Sequence, residues 1–275
     1  MSKSTALSTV GVLGAGRMGQ PIIGHLARKG FAVIVHDVDA SKRVHVEALG
    51  ARWADAPAAL ARESHAVLVC VGYDDEVRQI LSADGLLPHL VRTAIVAVLS
   101  TVNPQTMEEL AAAAEPAGVN VVDATMCRGG RAADEGTLLA FVGGPADVVQ
   151  RLEPVLACFC SDIVHTGKVG TAQVAKAANN MVMWACLVAN HEALALAHRS
   201  GVDVELLRSS LAKTGADNYA LRNWGTHTMS WAEDDLAIVQ SMAREMGLAL
   251  PQAGLNRELC RLLKPKRFKL DQYGV

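Results

Sequence analysis

The sequence predicts an α/β protein in two parts, a doubly wound, mostly parallel sheet followed by an all-helical domain. Three observations carry that expectation. Short β-branched or apolar runs alternate with helical patterns through residues 1–165, as strand–helix–strand units require. Gly14, Gly16 and Gly19 stand between the first such run and the first helical pattern. After Gly167 the β-branched runs stop, and Gly201, Gly215 and the stretch 247–251 punctuate helical patterns only.

In chain order, strands are expected at 10–14, 32–36, 66–71, 94–99, 120–123, 138–142 and 160–165. Helices are expected to begin near Arg17, Ser41, Ala56, Asp74, Asn103 and Ala146. Residues 174–197 contain neither Gly nor Pro and are apolar almost all round, the pattern of one long buried helix. These elements place a boundary near residue 166. Residues 1–166 form the sheet domain, and 167–275 form a helical domain whose first element is the long helix lying between the two.

The chain has 275 residues, half of them apolar and a fifth charged, with a net charge of −2. That is ordinary for a globular protein, and no basic footprint for nucleic acid or an acidic membrane exists. The cluster Lys264-Pro265-Lys266-Arg267-Phe268-Lys269 is local and reads as a solvated face. Six cysteines (Cys70, Cys127, Cys158, Cys160, Cys186, Cys260) are scattered with no pair of CxxC motifs, which points to reduced thiols and no metal site. Cys158-Phe159-Cys160 reads as an apolar strand start and not as a metal site. No apolar signal core follows the polar start at Met1. The long helix carries Lys176, His191 and Glu192, which argues against a membrane span. A cytoplasmic location is expected.

The glycines form G-x-G-x-x-G after a strand and at a helix start. The first allows a tight turn, the second lets backbone N–H groups approach a pyrophosphate, and the third allows close helix–strand packing. The helix N-terminus adds partial positive charge. The first domain is therefore expected to be of Rossmann type and to bind a dinucleotide, with Arg17 and Met18 completing the cradle. Asp37 closes the second strand. Its carboxylate can accept ribose hydroxyls and would repel a 2′-phosphate, so NAD is expected over NADP. Lys42 and Arg43 lie a turn further on.

Lys176, Asn179 and Asn180 are three and four residues apart on the long helix and so share a face. An ammonium on such a helix lies either at a wet edge or in a cavity where a proton is needed.

Three blocks together resemble the β-hydroxyacid dehydrogenase family, which includes 3-hydroxyisobutyrate dehydrogenase and tartronate semialdehyde reductase. They are the glycine-rich opening with Met18, "LSTVNPQT" at 99–106, and "GKVGTAQVAKAANN" at 167–180; "SGVD" at 200–203 extends the likeness. The resemblance implies hydride transfer between nicotinamide and a small β-hydroxy acid, or its aldehyde or ketone. It makes Lys176 the general acid/base, with Asn180 and Asn179 positioning substrate and Ser100 and Thr101 at the cofactor. It also implies a homodimer or higher homo-oligomer. The competing readings are an imine reductase, whose members usually carry Asp or Tyr in place of Lys176, and a nucleotide-binding module without catalysis.

The family's substrate loop commonly reads Asp-Ala-Pro-Val-Ser-Gly-Gly. Here it is "DATMCRGGRAADEGTL" from Asp123. Thr125 replaces the proline, Cys127 the serine and Arg128 the first glycine, so Cys127, Arg128 and Gly129 stand at the substrate. Arg128 is suited to a substrate carboxylate; pairing with Asp134 or Glu135 is the alternative. The family's Lys-Asp-Leu appears as Asp234-Asp235-Leu236. His191-Glu192 reads as a proton relay or as packing, and Trp224 and Trp231 as pocket or core.

Overall fold

The computed structural model describes residues 7–72, 74–82 and 84–274; most of the polar start at Met1 lies outside them. The elements run β1 (Thr9–Leu13), α1 (Gly19–Arg28), β2 (Ala32–His36), α2 (Arg43–Ala48), β3 (Arg52–Trp53), α3 (Pro57–Glu63), β4 (Ala66–Val69), α4 (Asp74–Ile80), β5 (Ile95–Val98) and α5 (Pro104–Ala114). They continue as β6 (Asn120–Cys127), α6 (Gly129–Glu135), β7 (Leu138–Gly143), α7 (Ala146–Leu156), β8 (Cys160–Gly167) and the 29-residue α8 (Thr171–Arg199). Last come α9 (Val204–Leu211), α10 (Tyr219–Arg222), α11 (Ala232–Glu245) and α12 (Pro251–Leu263).

The sheet order is β3-β2-β1-β4-β5-β6-β7-β8. Every pair is parallel except β6–β7. The chain reverses its winding between β1 and β4, which makes the carboxyl ends of these two strands the switch point where such sheets take ligands. The central strands β1, β4 and β5 are apolar on both faces because helices cover both. Val10, Val12, Ala66 and Leu68 enter one core with Ile22, Ile23 and Leu26. Leu13, Val67 and Val69 enter the other with Leu60, Val77 and Met107, as alternation along a strand demands.

Three features depart from the sequence expectation. β3 is only two residues long, too short to show a period. β6 runs on to Cys127 instead of stopping at Asp123, because 124–127 pair antiparallel with β7. The stretch after it, expected as loop, forms α6, whose Gly129-Gly130 start hides its helicity.

The chain divides into two compact units, Met1–Lys176 and Ala177–Val275. The division falls inside α8. Its first turns are tied to β6 by contacts described below.

In the second unit Trp184, Leu187 and Val188 pack with Met229, Leu236, Cys260 and Leu263. The Trp184 indole N–H donates to Asp235 Oδ2 at 2.9 Å, so the acidic start of α11 is partly consumed by structure. The Asp203 and Asn218 side chains cap α9 and α10. His191 is fully buried. Its Nδ1 lies 2.7 Å from the Leu187 carbonyl, and its Nε2 accepts the Phe268 N–H at 2.9 Å. Only the neutral ring with its proton on Nδ1 satisfies both contacts. The ring also lies 4.4 Å from the Trp224 ring and 5.2 Å from that of Phe268. Histidine and Trp224 thus serve packing, and His191 ties the basic tail to α8. No described helix is long and apolar enough to cross a membrane.

Burial lowers the His191 pKa, with the Leu187 carbonyl opposing. A depressed folded pKa means that stability is intact above the unfolded value of about 6.5. It is lost as pH falls from there toward the folded value. The expected outcome is that the Phe268 amide loses exchange protection as pH drops from 7 to 5, after correction for intrinsic rates. Unchanged protection would show that the ring does not hold the tail.

Candidate active site

The glycine run is shaped by close approach. Gly14 has φ +97°, and a Cβ there would meet the Cys70 carbonyl oxygen at 2.2 Å. A Cβ on Gly19 would meet the Gly14 carbonyl oxygen at 2.0 Å. These two glycines are required by the protein's own packing. A Cβ on Gly16 would meet nothing within 4 Å. Its bareness leaves open space in front of the α1 N-terminus, as a bound pyrophosphate needs. The residues present therefore fit a dinucleotide. Met18 packs against the sheet core. Arg17 forks onto the Asp134 carboxylate of α6 at 2.7 and 2.6 Å, with Gly130 directly beneath its guanidinium. Both side chains are thus turned to protein, and the cradle is left to backbone.

Asp37 is 8% exposed. Its Oδ2 accepts the Ala15 N–H at 2.7 Å and its Oδ1 the Asp39 N–H at 2.9 Å. Lys42 Nζ spans both oxygens at 3.0 and 2.9 Å. Burial alone would raise this carboxyl; the two N–H groups and Lys42 more than reverse it, so its pKa is lowered. Arg43 is spent on Glu47 and Asp55.

At the neighbouring strand ends, Ser100 Oγ donates to the Val71 carbonyl at 2.8 Å and accepts the Val71 N–H at 3.0 Å. Its hydroxyl joins the loops after β4 and β5. Thr101 follows it, half-buried.

Lys176 is held over the end of β6. Asp123 is fully buried and takes the Gly170 and Gln173 N–H groups at 2.8 and 3.0 Å. Burial raises its pKa, and those N–H groups offset this only in part. Thr125 Oγ1 donates to the Ala172 carbonyl at 3.1 Å. Lys176 Nζ, half-buried, donates to the Met126 carbonyl at 2.7 Å. Asn179 and Asn180 follow on the same helix, bonded to each other at 3.0 Å, with Asn180 only 2% exposed. The sequence reading overlooked Asp123 and Gln173. Their signal was available: two polar residues within apolar runs, one of them three positions before Lys176.

Arg128 has φ +82°. The left-handed conformation costs a non-glycine residue about 1 kcal/mol or more, which explains the glycine of the family's loop. Arg128 Nη1 donates to the Thr137 carbonyl, Ser161 Oγ and Asp162 Oδ2 at 3.0, 2.8 and 2.7 Å. Asp134 and Glu135, the partners considered from sequence, are engaged by Arg17 and Arg131. Cys127 is buried in the last position of β6, opposite Leu139, and Gly129 opens α6.

Residues 9–167 match the family model of the NAD binding domain of 6-phosphogluconate dehydrogenase. Residues 170–272 match the model described as NAD-binding of NADP-dependent 3-hydroxyisobutyrate dehydrogenase. The chain is 31% identical over 255 residues to the 3-hydroxyisobutyrate dehydrogenase of Pseudomonas aeruginosa, covering 90% of this chain and 86% of that one. It belongs to the 3-hydroxyisobutyrate dehydrogenase family. Another relative, the NAD-dependent L-serine dehydrogenase of the same species, is 28% identical, with 98% and 96% covered. The Mycobacterium tuberculosis 3-hydroxyisobutyrate dehydrogenase, solved with L-serine, superposes with a TM-score of 0.87 over 95% of each chain at 22% identity, and so shares the fold.

For this family member the Arg128–Asp162 pair separates two roles for the arginine. If it clamps the loop, Arg128→Ala and Asp162→Ala should raise the substrate KM by similar factors. If it binds substrate directly, Arg128→Ala should raise KM by about 10-fold while Asp162→Ala leaves it unchanged or lowers it. Steady-state kinetics of both variants decides; the three contacts on Nη1 lead us to expect the clamp.

Proposed function

We propose that this chain is an NAD-dependent dehydrogenase of a small β-hydroxy acid, or a reductase of the corresponding aldehyde or ketone, with Lys176 as general acid/base. The observation that carries this reading is the Lys176 ammonium, half-buried and fixed on the Met126 carbonyl. That carbonyl lies toward the carboxyl end of β6, which runs parallel to β5 and shares its ligand-binding edge. Partial burial and the bond to a strand-end carbonyl support a placed ammonium over a solvated one.

Gly16, the N-terminus of α1 and Asp37 would hold the cofactor, which when bound would supply or take the hydride. In reduction Lys176 gives its proton to the oxygen that gains negative charge. In oxidation the neutral amine receives the hydroxyl proton. The Met126 carbonyl keeps Nζ at one height before the substrate oxygen arrives, which lowers the cost of ordering it. Asn179 and Asn180, one turn beyond Lys176 on the same helix, supply amide groups that orient the substrate. A relative named for L-serine, itself a β-hydroxy acid, supports a three-carbon substrate and NAD.

Lys176→Ala is expected to lower kcat by ~10²-fold or more, the usual worth of a positioned acid/base, with NAD affinity near wild type. A panel of hydroxy acids followed by nicotinamide absorbance tests this; a variant that keeps most of its activity on the best substrate ends the assignment.

Cofactor choice follows the Asp37–Lys42 pair. Lys42→Ala leaves the carboxylate unscreened and should widen the preference for NAD over NADP by about 10-fold, the scale of one partly screened charge. Asp37→Arg should narrow or reverse it. Titrating both variants with both cofactors measures this, and a Lys42→Ala protein with unaltered selectivity contradicts it.

A further inference from the structure

We propose that Gln173 is a positioning residue that couples the 100–102 loop to the height of Lys176. This rests on the reading of Lys176 as the acid/base. Gln173 is 1% exposed, and both the oxygen and the nitrogen of its side-chain amide bond the loop. Its Oε1 accepts the Val102 N–H at 3.0 Å, and its Nε2 donates to the Ser100 carbonyl at 2.9 Å. Its own N–H donates to Asp123 Oδ2.

The geometry of these bonds is what gives the residue its role. One planar amide joins the backbone on either side of Thr101, so the path of the loop through Thr101 is fixed by a side chain of α8. Ser100 holds the same loop to Val71 at the end of the neighbouring strand. The loop is thus gripped from the sheet by a hydroxyl and from the helix by an amide. Lys176 lies one turn beyond Gln173 on the same helix face, with Nζ on the Met126 carbonyl. A shift of the loop when a cofactor seats against it must pass into α8 at Gln173, immediately before the ammonium. An apolar side chain of similar volume would fill this core position but leave the Val102 N–H and the Ser100 carbonyl without these partners. The amide satisfies both loop groups and ties the loop to the helix at once.

The test uses the full chain and two variants. Gln173→Met keeps the volume and removes both amide bonds. Gln173→Glu keeps an acceptor for the Val102 N–H and removes the donor to Ser100. Each is made alone and with Lys176→Ala, and each is measured for NAD affinity by fluorescence titration, for kcat and KM, and for thermal unfolding. We expect Gln173→Met to weaken NAD binding by about 5-fold and to lower kcat by about 10-fold with little change in KM, the pattern of a misplaced proton donor. Gln173→Glu should lose at least as much, because its buried carboxylate would face the Ser100 carbonyl. In the Lys176→Ala background the kcat loss from Gln173→Met should shrink below about 2-fold, because no ammonium remains to misplace, while the loss of NAD affinity persists.

Equal kcat losses in the two backgrounds overturn the coupling. So does a lower unfolding temperature with unchanged kcat and NAD affinity. Should Gln173→Met fail to fold, the same comparison on Gln173→Glu decides. A failure of the underlying reading is recognised separately, as Lys176→Ala retaining full activity with Gln173 intact.

Discussion

The site is organised around a carboxylate with no accessible surface. Asp123 projects from β6 into the amino end of α8, where helix N–H groups have no partners of their own. A buried carboxylate is costly in an apolar interior, and unpaired helix N–H groups are costly as well. Here each satisfies the other, and the positive end of the helix dipole adds to the match. The arrangement leaves no room beside it: a Cβ on Gly143, across the ladder in β7, would come within 2.5 Å of Asp123 Oδ1. With Thr125 bonded to the Ala172 carbonyl, the first turn of α8 is fixed in height and rotation. Helical periodicity then determines where residues 176 and 180 emerge.

Much of this was legible in the sequence. Strand–helix alternation, the glycine cradle and the Lys176-x-x-Asn179-Asn180 spacing depend on local pattern, and local pattern is what a sequence displays. β3, α6 and the length of β6 were not legible. Two-residue β3 has no period, α6 starts on two glycines, and residues 124–127 extend only because β7 pairs with them. Arg128 is the sharpest case. Its charge was visible, but its left-handed backbone and its contact with Asp162, 34 positions away, are tertiary facts. Read from sequence, it looked like a cation open to a substrate. In the structure its Nη1 already serves the β7–β8 edge.

The cofactor end has a parallel feature. Asp37 looks from sequence like a single carboxylate set to read a ribose. In the structure it is also the tie between the second strand and the glycine loop, through the Ala15 N–H, and it shares its charge with Lys42. The pair has a net charge of zero, and Asp37 is held in place by backbone N–H groups as well as by Lys42. Moving Lys42 would alter the local charge without loosening the glycine loop, whereas removing the carboxylate would disturb both.

This division of labour also bears on where the segment from Asp123 departs from the family's sequence pattern. The departures at 125, 127 and 128 differ in what they do to α8. Thr125 strengthens the hold on the helix, since its hydroxyl donates a bond that a proline could not. Cys127 and Arg128 follow Met126, whose carbonyl receives the Lys176 ammonium. The loop's left-handed turn, easy for glycine, is carried in Arg128 by contacts to Thr137, Ser161 and Asp162, none of which belongs to α8. The arginine thus ties the loop to Asp162, 34 positions along the chain, while the Met126 carbonyl before it holds the Lys176 ammonium on α8.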